Sequence, residues 1–177
     1  MRKLAFAAAL TLGLSVPASA DLPEGAEAPL FSTQAALAGK EYGFNLRSAL
    51  AKGPVVLYFY PKAFTKGCTL EANAFAEAMP EFKALGASVV GMSNDDIDTL
   101  KRFSVEECRD AFAVGVASRK IIDAYDVALV RDGKDTGVTS RTSYVISQSG
   151  EIVMVHSDMD YRDHVRMTLQ AVRNLTN

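Results

Sequence analysis

The chain has 177 residues, 19 lysines and arginines against 21 aspartates and glutamates, a formal net charge of −2, and two cysteines. With no basic stripe to neutralise a phosphate backbone, this composition excludes nucleic acid as the partner. The length suits one domain that buries about 68–70% of its unfolded surface without disulfide scaffolding.

Residues 1–20, "MRKLAFAAALTLGLSVPASA", set two cations before an uncharged apolar stretch and end in Ala18-Ser19-Ala20. That order predicts a secretory signal peptide cut after Ala20, because the apolar stretch falls short of the roughly 20 residues of a bilayer span. The expected product is a soluble periplasmic domain over residues 21–177 with no membrane segment. Without Arg2 and Lys3 its 17 cations face 21 acids, a net charge of −4. Two cysteines in an exported chain suggest a pair, and the count leaves open whether that pair is static.

"DLPEGAEAP" (21–29) reads as an extended lead-in, and "LFSTQAALAGKEYGFNL" as a hairpin turning near Gly39-Lys40. After Gly53-Pro54, the apolar run "VVLYFY" predicts a strand buried on both faces at the centre of a sheet. Thr65 is placed to cap a helix through "CTLEANAFAEAM", which Pro80 should kink or restart and Gly86 end. "SVVGMS" is a second buried strand, and "NDDIDTLKRF" a helix whose acids suit its N-terminus. In "SVEEC", Ser104 and Glu107 have capping-box spacing, which would restart or bend that helix just before Cys108. "RKIIDAYDV" predicts a short helix, "RTSYVIS" and "EIVMVH" a hairpin, and "YRDHVRMTLQAVRNL" a closing helix. Alternation in the middle and a hairpin at the end give an α/β class with a mixed sheet flanked by helices.

Cys68 stands where a buried strand gives way to a helix, three residues after Thr65. A helix N-terminus offers free N–H groups and about half a positive charge, which favours a thiolate. Pro61 would stiffen the turn and wall the sulfur with carbon, or be an ordinary turn residue. Arg141, at the start of the predicted strand "RTSYVIS", would be costly there unless its charge is used; alternatively it is a surface cation.

Together, "PKAFTKGC" with Pro61, Thr65 and Cys68 resembles the Pro-x-x-x-Thr-x-x-Cys motif of the peroxiredoxins, and "RTSYVI" resembles their segment carrying an active-site arginine. Within that family the chain is similar to the bacterioferritin comigratory protein (PrxQ) branch, from about Gly25 to the last helix. The resemblance implies a thioredoxin-like fold and a cysteine-dependent peroxidase that uses no metal or organic cofactor. It implies Cys68 as peroxidatic nucleophile, Thr65 as hydrogen-bond partner of thiolate and peroxide, Arg141 as the group polarising both, and Pro61 as a shield. Glu71 matches a position that orients the arginine; its alternative is an ordinary acid in the first helical turn. The implied substrates are hydrogen peroxide and organic hydroperoxides, the partner a thioredoxin-like or other dithiol reductant, and the assembly a monomer or weak homodimer.

Two departures bear on recycling and activation. Lys66 replaces a proline common in relatives, and Asn73 stands where many carry a second cysteine, so Cys108 is the one remaining candidate for a resolving thiol. A different class of function stays open: a non-catalytic thioredoxin-like binding module whose Cys68–Cys108 disulfide is structural. A copper carrier or disulfide reductase would need paired cysteines such as C-x-x-C, which the sequence lacks. His156 and His164 have no Cys/His cluster near them and are read as non-ligands, the "NDDID" acids as a solvated helix start, and Met92, Met154 and Met167 as core filler.

Overall fold

A computed structural model describes residues 21 to 176; the expected signal peptide and its cut after Ala20 lie outside the described residues. The elements in chain order are β1 (Ser32–Leu37), β2 (Lys40–Asn45), α1 (Leu46–Leu50), β3 (Val55–Phe59), α2 (Lys66–Ala84), β4 (Ser88–Ser93) and α3 (Ile97–Glu106). There follow β5 (Ala113–Val116), α4 (Arg119–Ala124), β6 (Ala128–Arg131), β7 (Lys134–Thr139), β8 (Thr142–Ile146), β9 (Ile152–Ser157), a 3-10 turn (Tyr161–Asp163) and α5 (His164–Thr176). The main sheet runs β2-β1-β5-β4-β3-β8-β9, and β6-β7 pair separately. The expected mixed sheet is present: β4 is parallel to β3 and β5, while β8 is antiparallel to β3 and β9.

All five residues of β3 are buried because the sheet is covered on both sides. Side chains alternate along a strand, so Val56 and Tyr58, with Tyr60 just beyond, join one core with α2, α3 and α5. Val55, Leu57 and Phe59 join the other with α1 and α4. β3 is interior, although β4 holds the middle of the strand order. No helix among the described residues is long and apolar enough to cross a membrane.

Several local expectations are corrected. α2 neither stops nor restarts at Pro80 but runs on through it; the missing N–H removes one helical hydrogen bond, while the buried flank of Phe75, Ala76, Met79 and Phe82 keeps the helix on the sheet. The helix does end at Gly86, whose φ of +72° lets Gly86 N–H reach the Lys83 carbonyl and Ala87 N–H that of Phe82, the paired bonds of a Schellman end. Thr65 occupies the N-cap position without capping; its hydroxyl donates to the Lys62 carbonyl at 2.9 Å. Ser104 is not a cap either. It is buried within α3, where its Oγ donates to the Lys101 carbonyl and accepts from Gly39 N–H, so α3 ends at Glu106 rather than restarting. Three features were not foreseen: α1, β5, and the β6-β7 hairpin turning at Asp132-Gly133, both with φ above +50°.

Candidate active site

The strand end, the following loop and the first turn of α2 bring Cys68 to its place. The loop is pinned where it leaves β3: Asp95 accepts from the Ala63 N–H at 2.8 Å and from Ser93 Oγ at 2.9 Å. The "NDDID" acids are therefore not all solvent-facing; Asp96 caps α3 while Asp95 fastens this loop. Phe64 takes a left-handed φ of 62° and lies edge-on to Phe103 at 5.2 Å, with the Arg102 guanidinium 5.3 Å from its ring centre. Pro61 is half-buried at the loop's start and Thr65 is exposed at its end.

Cys68 is 2% exposed. It sits in the helical turn whose first N–H groups lack carbonyl partners within the helix. Arg141, immediately before β8, reaches it from across the sheet: one terminal nitrogen, Nη2, is 3.5 Å from Cys68 Sγ. The other, Nη1, is paired with Glu71 Oε2, and Nε donates to the Met159 carbonyl at 3.0 Å. Three anchors in different directions fix the plane of the guanidinium. Gly67 leaves room for it, since a Cβ there would meet Nη2 at 3.1 Å.

Arg141 is 4% exposed and Glu71 0%. Burial works against the Arg141 charge, but the adjoining Glu71 and Cys68 outweigh it and hold the guanidinium above its usual value. Burial pushes the Glu71 carboxyl up to about 8, against the pull of Arg141. His164, read as a non-ligand, lies against this pair and is fully buried, its Nδ1 3.8 Å from Glu71 Oε1. Its position at the start of α5 could have been noticed only by knowing which face of that helix meets α2.

Cys108 is elsewhere. It follows the end of α3 by two residues, in a turn where Arg109 and Asp110 have φ of 51° and 57°, and it is 0% exposed. Burial pushes its thiol well above the usual value, and the charges of Glu107 and Asp110 add to the effect. Both cysteines are free and belong to one apolar cluster with Tyr58, Tyr60, Phe75 and Phe103. Asn73 bridges the two regions: its Nδ2 donates to the Thr69 carbonyl at 2.7 Å and to Glu107 Oε2 at 3.1 Å.

The arrangement can hold a sulfur anion, and an oxygen anion beside it, against donors fixed before any reaction. Among the described residues no group of three His, Cys, Asp or Glu is placed to hold a metal ion. An apolar groove lined by Leu37, Tyr42, Phe44, Met79 and Phe112 shares none of the residues around Cys68.

Residues 25–155 match the model of the AhpC/TSA family. The chain is 30% identical over 158 residues to a chloroplastic peroxiredoxin Q of Suaeda salsa, covering 88% of this chain and 70% of that protein. It is 27% identical over 139 residues to peroxiredoxin Bcp of Bacillus subtilis, covering 77% and 88%. Among solved structures, the peroxidoxin BcpB of Mycobacterium tuberculosis superposes with a TM-score of 0.77 at 28% identity, covering 87% of this chain and 98% of that one. Peroxiredoxin Q of Xanthomonas campestris gives 0.71 at 28% identity, covering 81% and 91%.

Proposed function

Since the chain belongs to the AhpC/TSA family, with the thioredoxin-like fold and thiol-dependent peroxidase activity of a peroxiredoxin, we propose how its own residues divide that work. The Cys68 thiolate attacks the terminal oxygen of hydrogen peroxide or an organic hydroperoxide. An S–O bond forms as the O–O bond breaks, the departing oxygen takes a proton and leaves as water or alcohol, and Cys68 becomes a sulfenic acid. Arg141 stabilises charge on both the sulfur and the departing oxygen, as a donor that need not reorganise. Glu71 keeps Arg141 in its plane, Thr65 turns its hydroxyl from the Lys62 carbonyl to hydrogen-bond sulfur and peroxide, and Pro61 walls off water. One observation carries this reading: Arg141 Nη2 stands 3.5 Å from Cys68 Sγ while its other arm is held by buried Glu71.

For recycling, Cys108 is the resolving thiol in this reading. Its sulfur attacks the Cys68 sulfenic acid, an S–S bond forms, water leaves, and a thioredoxin-like dithiol reduces the disulfide. Cys68 and Cys108 are the chain's two cysteines, and Asn73, at the position of a nearer partner in many relatives, cannot form a disulfide. Both sulfurs lie in one cluster, yet the turn around Cys108 must open before its buried thiol can ionise and move. Export to the periplasm rests on the first twenty residues, and action as a monomer or weak homodimer belongs to the same proposal.

The test is consumption of hydrogen peroxide and an organic hydroperoxide by purified protein with a thioredoxin-type dithiol as reductant. One equivalent of peroxide is expected to yield a Cys68–Cys108 disulfide, seen by mass spectrometry of non-reduced peptides. Steady turnover without that disulfide would replace this cycle with a one-cysteine mechanism.

A further inference from the structure

Half of the Glu71 carboxyl is accounted for. Oε2 takes the Arg141 guanidinium, but Oε1 has no hydrogen-bond partner among the described residues although Glu71 is fully buried. A buried carboxyl oxygen left unmet is costly, the more so when charged. Facing it is His164 Nδ1 at 3.8 Å, also fully buried.

The ring's hydrogens follow from its partners. Nε2 lies 2.9 Å from the Asp158 carbonyl, which only accepts, so Nε2 carries the hydrogen. Burial lowers the imidazole to about 4, so near neutral pH the ring is uncharged and Nδ1 presents a lone pair. That lone pair can take the Ser143 hydroxyl, 2.8 Å away, or a proton on Glu71 Oε1. A carboxyl raised to about 8 holds such a proton at neutral pH. At 3.8 Å the contact is longer than a hydrogen bond, and a shift of about 1 Å closes it.

We propose that His164 is a positioning residue of the peroxidase site: its Nδ1 lone pair holds the proton of Glu71 Oε1, keeping that carboxyl neutral and leaving the Arg141 charge to the Cys68 sulfur. This rests on the peroxidase reading of Cys68 and Arg141. A neutral Glu71 still accepts from Arg141 through Oε2, so orientation is kept. An ionised Glu71 would instead bind the same guanidinium as a second anion and oppose a thiolate beside it. Other titratable groups face the pair. Tyr58 comes from β3, His156 from β9 with its ring 4.5 Å from that of His164, and Asp158 and Asp160 from the connection to α5.

The test is infrared titration of the reduced protein, without peroxide, following the carbonyl stretch of a buried protonated carboxylic acid. Glu71→Gln identifies the band by removing it. In the unaltered protein the band is expected to disappear with a midpoint near 8. In His164→Phe, where the accepting lone pair is gone, the midpoint should fall by about one pH unit, and the pH at which the peroxide rate declines should fall with it. In Ser143→Ala, which frees Nδ1 from its competing donor, the midpoint should rise. An upward move in His164→Phe would mean that burial alone sets the carboxyl and would overturn the proposal; so would coincident titrations in all forms, or a peroxide profile that ignores the infrared shift. Should His164→Phe fail to fold, the sign of the Ser143→Ala shift decides. Because the infrared reading needs no turnover, its failure is separable from failure of the peroxidase reading, which peroxide consumption tests.

Discussion

Cys68 and Cys108 are both buried, yet they stand at opposite poles of helices. Cys68 opens α2, where unpaired N–H groups favour an anion, and it has a guanidinium nitrogen at 3.5 Å. Cys108 follows the carbonyl end of α3, between Glu107 and Asp110, in an apolar cluster that pushes its thiol well above its usual value. Burial alone therefore does not decide a thiol's chemistry. The dipoles and charges within a few ångströms differ between the two, and in the proposed cycle that difference assigns the attack on peroxide to Cys68 and the later step to Cys108.

Removing the ready sulfur tests this difference most severely. Cys68→Ser is expected to abolish peroxide consumption with the fold intact, because a hydroxyl of similar size is scarcely ionised at neutral pH; appreciable turnover would end the distinction. Cys108→Ser should leave the first reduction at full rate but halt the cycle after one equivalent, with Cys68 advancing to sulfinic acid by mass spectrometry. Arg141→Met should slow Cys68 oxidation by about 10²–10³-fold, the loss of one oxyanion-type donor, measured by stopped-flow peroxide competition. A pH experiment separates the two sites without touching Cys68. Because folding raises the Cys108 thiol above its ordinary value of about 9, the stability it contributes is whole below that pH and lost above it, as the unfolded chain releases the proton first. Reduced protein should lose about 1.4 kcal/mol per pH unit above about 9 relative to Cys108→Ser in denaturant titrations. The smallest effect is expected for Asn73→Ala, which frees Glu107 and should speed disulfide formation about twofold after a peroxide pulse, in keeping with a partly exposed hydrogen bond.

Much of this was legible in order of residues, and the exceptions share a cause. "VVLYFY" and "SVVGMS" are apolar throughout because strands covered on both faces must be, so both strands and the helix between them could be read directly. Ser104 and Thr65 have the residue types of caps, but a hydroxyl chooses among nearby backbone partners, and tertiary placement turned both toward carbonyls three residues back. Asp132-Gly133 carries a hairpin signal, but only the apolar side before it is strand-like, since "KDTG" after it has no apolar alternation. Around Cys68, "PKAFTKGC" pointed to Pro61 and Thr65, and the separate segment "RTSYVI" to Arg141. Asp95 and His164 could not be found that way: one acts from the β4–α3 connection and the other from a helix 96 positions later, and no spacing rule joins them to position 68.

The left-handed Phe64 gives the loop before Cys68 a particular temperament. For a bulky residue such a φ costs on the order of 1–2 kcal/mol, and the edge-on contact with Phe103 and the Arg102 charge over the ring return about the same. The two are of the same order, so packing on α3 offsets the strain of the loop backbone. Since α3 also leads into the turn of Cys108, one helix borders both the loop before Cys68 and that turn.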